Sequence, residues 1–327
     1  LRNLAEQAGI TRIDGTISAI ATDANNGFID TITLADGQRI SGDLFIDCTG
    51  FRALLIEQTL RVGFEDWSHW LLCDRAVAMQ SERIGELVPF TRSIAHPAGW
   101  QWRIPLRERM GNGLIYSSQY MSDDAASTTL TGSVSGKALH DPRFIRFTPG
   151  RRRKQWHKNC VALGLASGFL EPLESTSIHL IQQGIIKLIR LFPHKQILPS
   201  AVDEYNQQCT AELGHIRDFL ILHYCVTQRN DSAFWRHCQS MPIPDSLQQK
   251  LDLFKQTGSV FHSGKALFED SWQQVMLGQG LTPERYHPFA DTMEQAELAD
   301  FLSHVSGTIQ RTVATMPDHE RYIATMQ

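Results

Sequence analysis

The spacing of apolar and polar positions changes character along the chain. Residues 1–9, "LRNLAEQAG", read as the end of a helix closed by Gly9. Two stretches then alternate, "ITRIDGTISAIATD" and "GFIDTITLADG". They predict two strands joined at Asn25-Asn26-Gly27. "GDLFIDCTG" is apolar throughout and ends in Thr49-Gly50, as a buried parallel strand does. Its glycine reads either as a plain turn or as a place where a ligand approaches the backbone. Residues 74–122 carry "RAVAMQ", "TRSIAHP", "WQWRIPL" and "GLIYSSQY", which predict an antiparallel sheet. Residues 123–140 are rich in Ser, Thr, Asp and Gly and read as a surface connection. "NCVALGLASG" is another buried strand ending in small residues. From about residue 178 helical spacing dominates, with breaks at Pro193, Pro199, Pro242, Pro244 and Pro283.

This order predicts an α+β chain: a nucleotide-binding domain carrying a substrate-side antiparallel sheet, with a C-terminal helical subdomain. The expected divisions are 1–72, 73–150, 151–192 and 193–327, the third returning to the domain begun by the first. A length of 327 residues suits one large or two ordinary domains.

Composition narrows the classes. Hydrophobic residues make up 42% and charged residues 20%, ordinary for a soluble globular protein. The net charge of -4 gives no reason to expect a nucleic-acid partner. The basic run "RRRKQW" at 151–156 reads as a solvated face. No apolar run reaches the roughly 18 residues of a membrane span, and no signal peptide is seen, so no membrane partner is expected. The 6 cysteines include no CxxC pair and read as buried reduced thiols of a cytoplasmic protein, with no metal site. The first residue is Leu1, so the chain is expected to begin partway into a longer protein.

Two stretches carry candidate chemistry. In "GLASGFLEPLESTSIHL", 164–180, Ile178, Ile181, Ile185 and Leu188 fall at helical spacing. A helix therefore starts near Ser175, Thr176 and Ser177, with Glu174 at its mouth. Helix starts offer unpaired N–H groups and a partial positive charge, so they attract anions. Gly164, Ala166, Ser167 and Gly168 are small enough for a flat ligand to approach. A glutamate there could accept a proton from a substrate. From chemistry alone, plain helix capping is the simpler reading of the same residues. In "GWQWRIPL", 99–106, Trp100 and Trp102 point to one face of a strand, as a wall for an aromatic ligand or as a core layer.

These residues carry a resemblance. "GWQWRIP" resembles the W-x-W-x-I-P motif of flavin-dependent tryptophan halogenases. "FLEPLESTSI", "DLFIDCTGFRALL", "NCVALGLASGF" and the Phe-Trp pair at 234–235 resemble further segments of that family, in order. The resemblance implies a flavin monooxygenase-like FAD-binding fold with a helical subdomain. It implies that reduced FAD reacts with dioxygen to give a hydroperoxide, which halide attacks. Hypohalous acid then travels to an aromatic substrate at a separate site. By motif position, Glu174 matches the glutamate beside the reaction centre. Thr176 and Ser177 match the positions whose amides hold chloride or bromide; the family often has glycine at the second. Leu165, Ile178 and Ile10 match flavin-contacting positions, Ile10 at the start of its strand. Trp100 and Trp102 match tryptophans that shape the space near the flavin. A separate flavin reductase and a homodimer are the implied partners.

The chain also departs from the family pattern. No G-x-G-x-x-G occurs on a strand-to-helix turn, and no lysine takes the family's essential position. Both are expected to precede Leu1, so FAD affinity of this stretch alone should be poor and its sheet should expose an edge. "KQTGSVFHSGKALFEDSWQQV" lacks the aromatic pair that grips free tryptophan, which points to another indole or a phenol as substrate. Trp272 there reads as core. A flavin-dependent aromatic monooxygenase and a non-catalytic flavin-fold module stand as the alternatives.

Overall fold

The alternating stretches near the N-terminus form an antiparallel sheet. The computed structural model describes residues 1–260 and 269–326. After helix α1 (Arg2–Gln7), strands β1 (Ile17–Thr22), β2 (Ile29–Leu34) and β3 (Arg39–Ser41) lie in the order β1-β2-β3. The strand expected to start at Ile10 begins only at Ile17. Ile17 faces Leu34, the last residue of β2, and the pairing ends one residue further on, where the Thr16 carbonyl accepts from the Ala35 N–H at 2.8 Å. Then come β4 (Phe45–Asp47) and β5 (Phe64–Asp66). Asp47 closes β4. Its buried carboxylate accepts from the Thr49 N–H and hydroxyl and from the Leu55 and Ile56 N–H groups, fixing the turn at Thr49-Gly50.

Strands β6 (Arg75–Glu82), β7 (Arg92–His96), β8 (Gly99–Pro105) and β9 (Arg109–Tyr116) form the expected antiparallel sheet. The next stretch is no surface connection. It holds helix α2 (Asp123–Ser133), then β10 (Arg143–Arg146), which completes the order β10-β6-β9-β8-β7. Ser122 caps α2 by accepting from the Ala125 N–H, and Asp123 and Asp124 fill its first turn. Ala126 and Leu130 bury against Val77, Leu114 and Tyr116. Polar composition concealed a capped amphipathic helix.

The chain then returns to the first region with β11 (Gly150–Arg152), β12 (Trp156–His157), β13 (Cys160–Ala162) and β14 (Gly168–Phe169). β11 joins β5, and β13 runs parallel to β4, so the two regions complete shared sheets across the insertion as expected. The basic run at 151–156 is solvated only at Arg153 and Lys154. Arg152 is buried, bonds Glu57 at 2.8 Å and stacks over Phe64 at 5.0 Å, while Arg151 pairs with Glu65 at 2.7 Å. Arg151 and Arg152 thus tie β11 to its neighbours.

Helices follow: α3 (Ser177–Arg190), α4 (Pro199–Cys225), α5 (Ala233–Ser240), α6 (Asp245–Thr257), α7 (Glu269–Gly278), α8 (Gln295–Thr315) and α9 (His319–Ala324). The chain forms two compact units. One comprises residues 1–66, 150–170 and 175–213, the other residues 67–149, 171–174 and 214–327. The first has its core around Ile29, Phe45, Ile56 and Cys160, with a second cluster at Trp156, Val161, Leu188 and Tyr205. In the second, aromatic rings knit the helices together. Tyr224 stacks on Trp235 at 5.8 Å, and Phe219 lies 5.1 Å from Trp272. All six cysteines are free thiols; Cys48, expected to be buried, is exposed because it follows the last residue of β4. Among the described residues, no helix is long and apolar enough to cross a membrane.

Candidate active site

In the second unit, strand β8 turns Trp100 and Trp102 to one face, with ring centroids 6.0 Å apart and planes at 57°. Trp102 pairs in register with Gly113 of β9. A Cβ at Gly113 would lie 1.9 Å from the Trp102 ring, so the indole rests directly on bare backbone. Trp100 is buried and Trp102 half-buried.

The acidic segment of this unit, residues 171–174, is a single 3-10 turn at Pro172–Glu174 preceded by Glu171. Two consecutive residues in the last turn of α4 hold its two acids. Tyr224 donates its hydroxyl proton to Glu171 Oε1. His223 Nε2 lies 2.9 Å from Glu174 Oε1. Glu171 is buried, and burial raises its carboxyl to about 7. The Tyr224 hydrogen bond, the nearby Trp100 and Cys73 donors and the neighbouring His223 oppose that rise. The Trp100 contact falls short of full geometry: Trp100 Nε1 and Glu171 Oε2 are both buried with no hydrogen-bond partner among the described residues. Cys73 Sγ stands 3.8 Å from the Tyr224 hydroxyl, and burial pushes both groups up. Glu174 differs from Glu171: its side chain is 28% exposed.

In the first unit, α3 begins as the apolar spacing predicts. Thr176 is its N-cap and Ser177 its first residue, and no side chain caps it. The first-turn N–H groups therefore have no partner within the helix. Glu174 does not cap it either; its Oε1 lies against His223 Nε2. Ser175 adopts a left-handed backbone at φ 55°, which lets the chain pass from the 3-10 turn into α3. Leu165, 39% exposed, sits in the 3-10 turn Gly164–Ala166 that follows β13. Gly164 starts that turn at φ 62°, a conformation suited to glycine. Ile178, 70% exposed, projects from the first turn of α3. Ile10 is exposed in the coil between α1 and β1, away from the strand start at which it was expected.

A family model described as tryptophan halogenase matches residues 1–295. The chain belongs to the tryptophan halogenase family. It is 33% identical to a tryptophan 6-halogenase of Streptomyces toxytricini, over 100% of this chain and 64% of that protein. It is 31% identical to a tryptophan 7-halogenase of Kutzneria sp. (strain 744), over 98% and 64%. Among solved structures, a flavin-dependent halogenase from Xanthomonas campestris superposes with a TM-score of 0.97 at 54% identity. That match covers 99% of this chain and 66% of the other. A flavin-dependent halogenase from Brevundimonas sp. BAL3 gives 0.96 at 46%, covering 100% and 67%. The chain thus spans 64% of the length of these two curated relatives.

For this tryptophan halogenase family member, the structure adds residues that sequence reasoning missed. Glu171 stood inside the motif but behind the more conspicuous Glu174. His223 and Tyr224 lie in "FLILHYC", read only as helix. Two polar rings inside an apolar helical run were the available sign, since buried polar groups need partners. Trp272 is fully buried, as its core reading expects. Part of the stretch compared with the tryptophan-gripping segment, 261–268, lies outside the described residues.

Proposed function

We propose that the protein carries out FADH2-dependent halogenation of an aromatic, indole-type substrate, using dioxygen and chloride or bromide. The observation that supports this most directly is the state of Glu174. Its carboxylate caps no helix, is partly exposed, and is held through one oxygen two residues before an uncapped helix start. Such a group is free to take the proton that leaves a ring carbon when halogen replaces it. The first-turn amides at Thr176 and Ser177 suit a halide, because they offer N–H donors and the positive end of the α3 dipole.

The flavin reading is supported by the first unit. β4 and β13 run parallel, and ligands of such sheets lie beyond the carboxyl ends of the strands. There Phe51 and Leu165 leave apolar surface exposed beside the Gly164 backbone. Leu165, Ile178 and Ile10 are the proposed flavin contacts, within a flavin monooxygenase-like fold. When bound, reduced flavin would supply the activated oxygen that oxidises halide. Trp100 and Trp102 would offer an aromatic wall on the β8 face of the second unit. A separate reductase would deliver reduced flavin. Relatives act on tryptophan by their names, while the altered 255–275 stretch favours another indole here.

The test supplies the protein with chemically reduced FAD, oxygen, bromide or chloride, and indole, and follows products by mass spectrometry. The expected result is the halogen isotope pattern, lost by about 100-fold or more in Glu174→Gln while flavin oxidation continues. Hydroxylated indole alone would establish monooxygenation instead.

A further inference from the structure

We propose that His223 is the positioning residue for Glu174, an inference that rests on the reading of Glu174 as the proton acceptor. The argument starts from the imidazole. Nδ1 lies 2.8 Å from the Phe219 carbonyl, one turn back on α4. A carbonyl only accepts, so Nδ1 carries a proton. The ring is fixed further by Phe219, whose centroid stands 4.8 Å away at 74°. Phe219 is itself buried against Trp272. The rotamer of His223 is therefore set by packing and by a backbone acceptor, independently of Glu174.

With Nδ1 committed, Nε2 faces Glu174 Oε1 at 2.9 Å. The contact is an ion pair when Nε2 also carries a proton. The ion pair holds Oε1 and leaves Oε2 without a protein partner among the described residues. The carboxylate thus presents one chosen oxygen. Both side chains are partly shielded, at 17% and 28% exposure, which strengthens the contact over that of a surface pair. Without His223 the glutamate side chain would sample several rotamers, and misplacement on the ångström scale costs a proton transfer roughly 10–100-fold.

Two variants and one spectroscopic measurement test this. In the halogenation assay, His223→Ala should lower kcat roughly 10–100-fold and leave KM for the aromatic substrate within about twofold. His223→Gln, whose amide can still donate to Oε1, should recover kcat to within about threefold of wild type. Either Ala at wild-type kcat, or Gln no better than Ala, would overturn the assignment. Independently of activity, nitrogen-15 NMR of ring-labelled histidine should show a proton on His223 Nδ1, with the Nε2 resonance moving in Glu174→Gln. An Nε2 resonance that does not move in Glu174→Gln would sink the proposal even if the Ala variant were inactive through misfolding. Halogenation that survives Glu174→Gln would instead remove the reading on which this one rests, whatever His223 does.

Discussion

Replacing Glu171 by glutamine tests the buried half of the acidic segment. The carboxyl is buried and rises from 4.5 to about 7, chiefly through lost solvation. In the unfolded chain it titrates near its ordinary value. Between about pH 4.5 and 7, then, the folded state holds a proton that the unfolded state releases, and stability falls as pH rises through that window. Each tenfold change in proton affinity is worth about 1.4 kcal/mol, so the whole loss amounts to about 3 kcal/mol. It is absent below the window and complete above it. Glu171→Gln keeps a carbonyl to accept from Tyr224 and never titrates. Urea denaturation of both proteins from about pH 4.5 to 8 isolates the effect, because all other groups cancel in the difference. The stability of the variant relative to wild type should climb by about 3 kcal/mol across the series. Parallel curves would mean that Glu171 ionises at its ordinary value, and the burial argument would fail.

Three further outcomes follow from local geometry. Ser175→Gly relieves a left-handed backbone at φ 55° and should stabilise by about 1 kcal/mol in denaturant titration. Gly113→Ala places a methyl 1.9 Å from the Trp102 ring, so the indole must move; a loss of about 1–3 kcal/mol and a shifted tryptophan emission are expected. Asp47→Asn turns one of the two accepting oxygens into a donor against N–H groups that now point at it. Unfolding should become easier by about 3 kcal/mol.

Much of the architecture was legible because it repeats a period. The four strand-like stretches of 74–122 became β6 to β9, and the Ile178, Ile181, Ile185, Leu188 spacing became α3. What escaped depends on partners far away in sequence. Arg151 and Arg152 looked like a solvated run until Glu65 and Glu57 were brought beside them. α2 looked like a loop because Ser, Thr and Asp serve caps and turns alike. The candidate site shows the same division. Glu174, Thr176 and Ser177 announced themselves through a local motif, whereas His223 and Tyr224, about 50 residues on, are recognised only by what they touch.

The grip of α4 on the acidic segment has a consequence for how the chain can change. Successive residues on a helix diverge by about 100°. His223 and Tyr224 nevertheless serve acids three positions apart on one strand of backbone. Inserting or deleting a single residue between Phe219 and His223 would swing both rings round the axis and release both carboxylates together. Length variation should therefore be purged from that turn far more strictly than substitution.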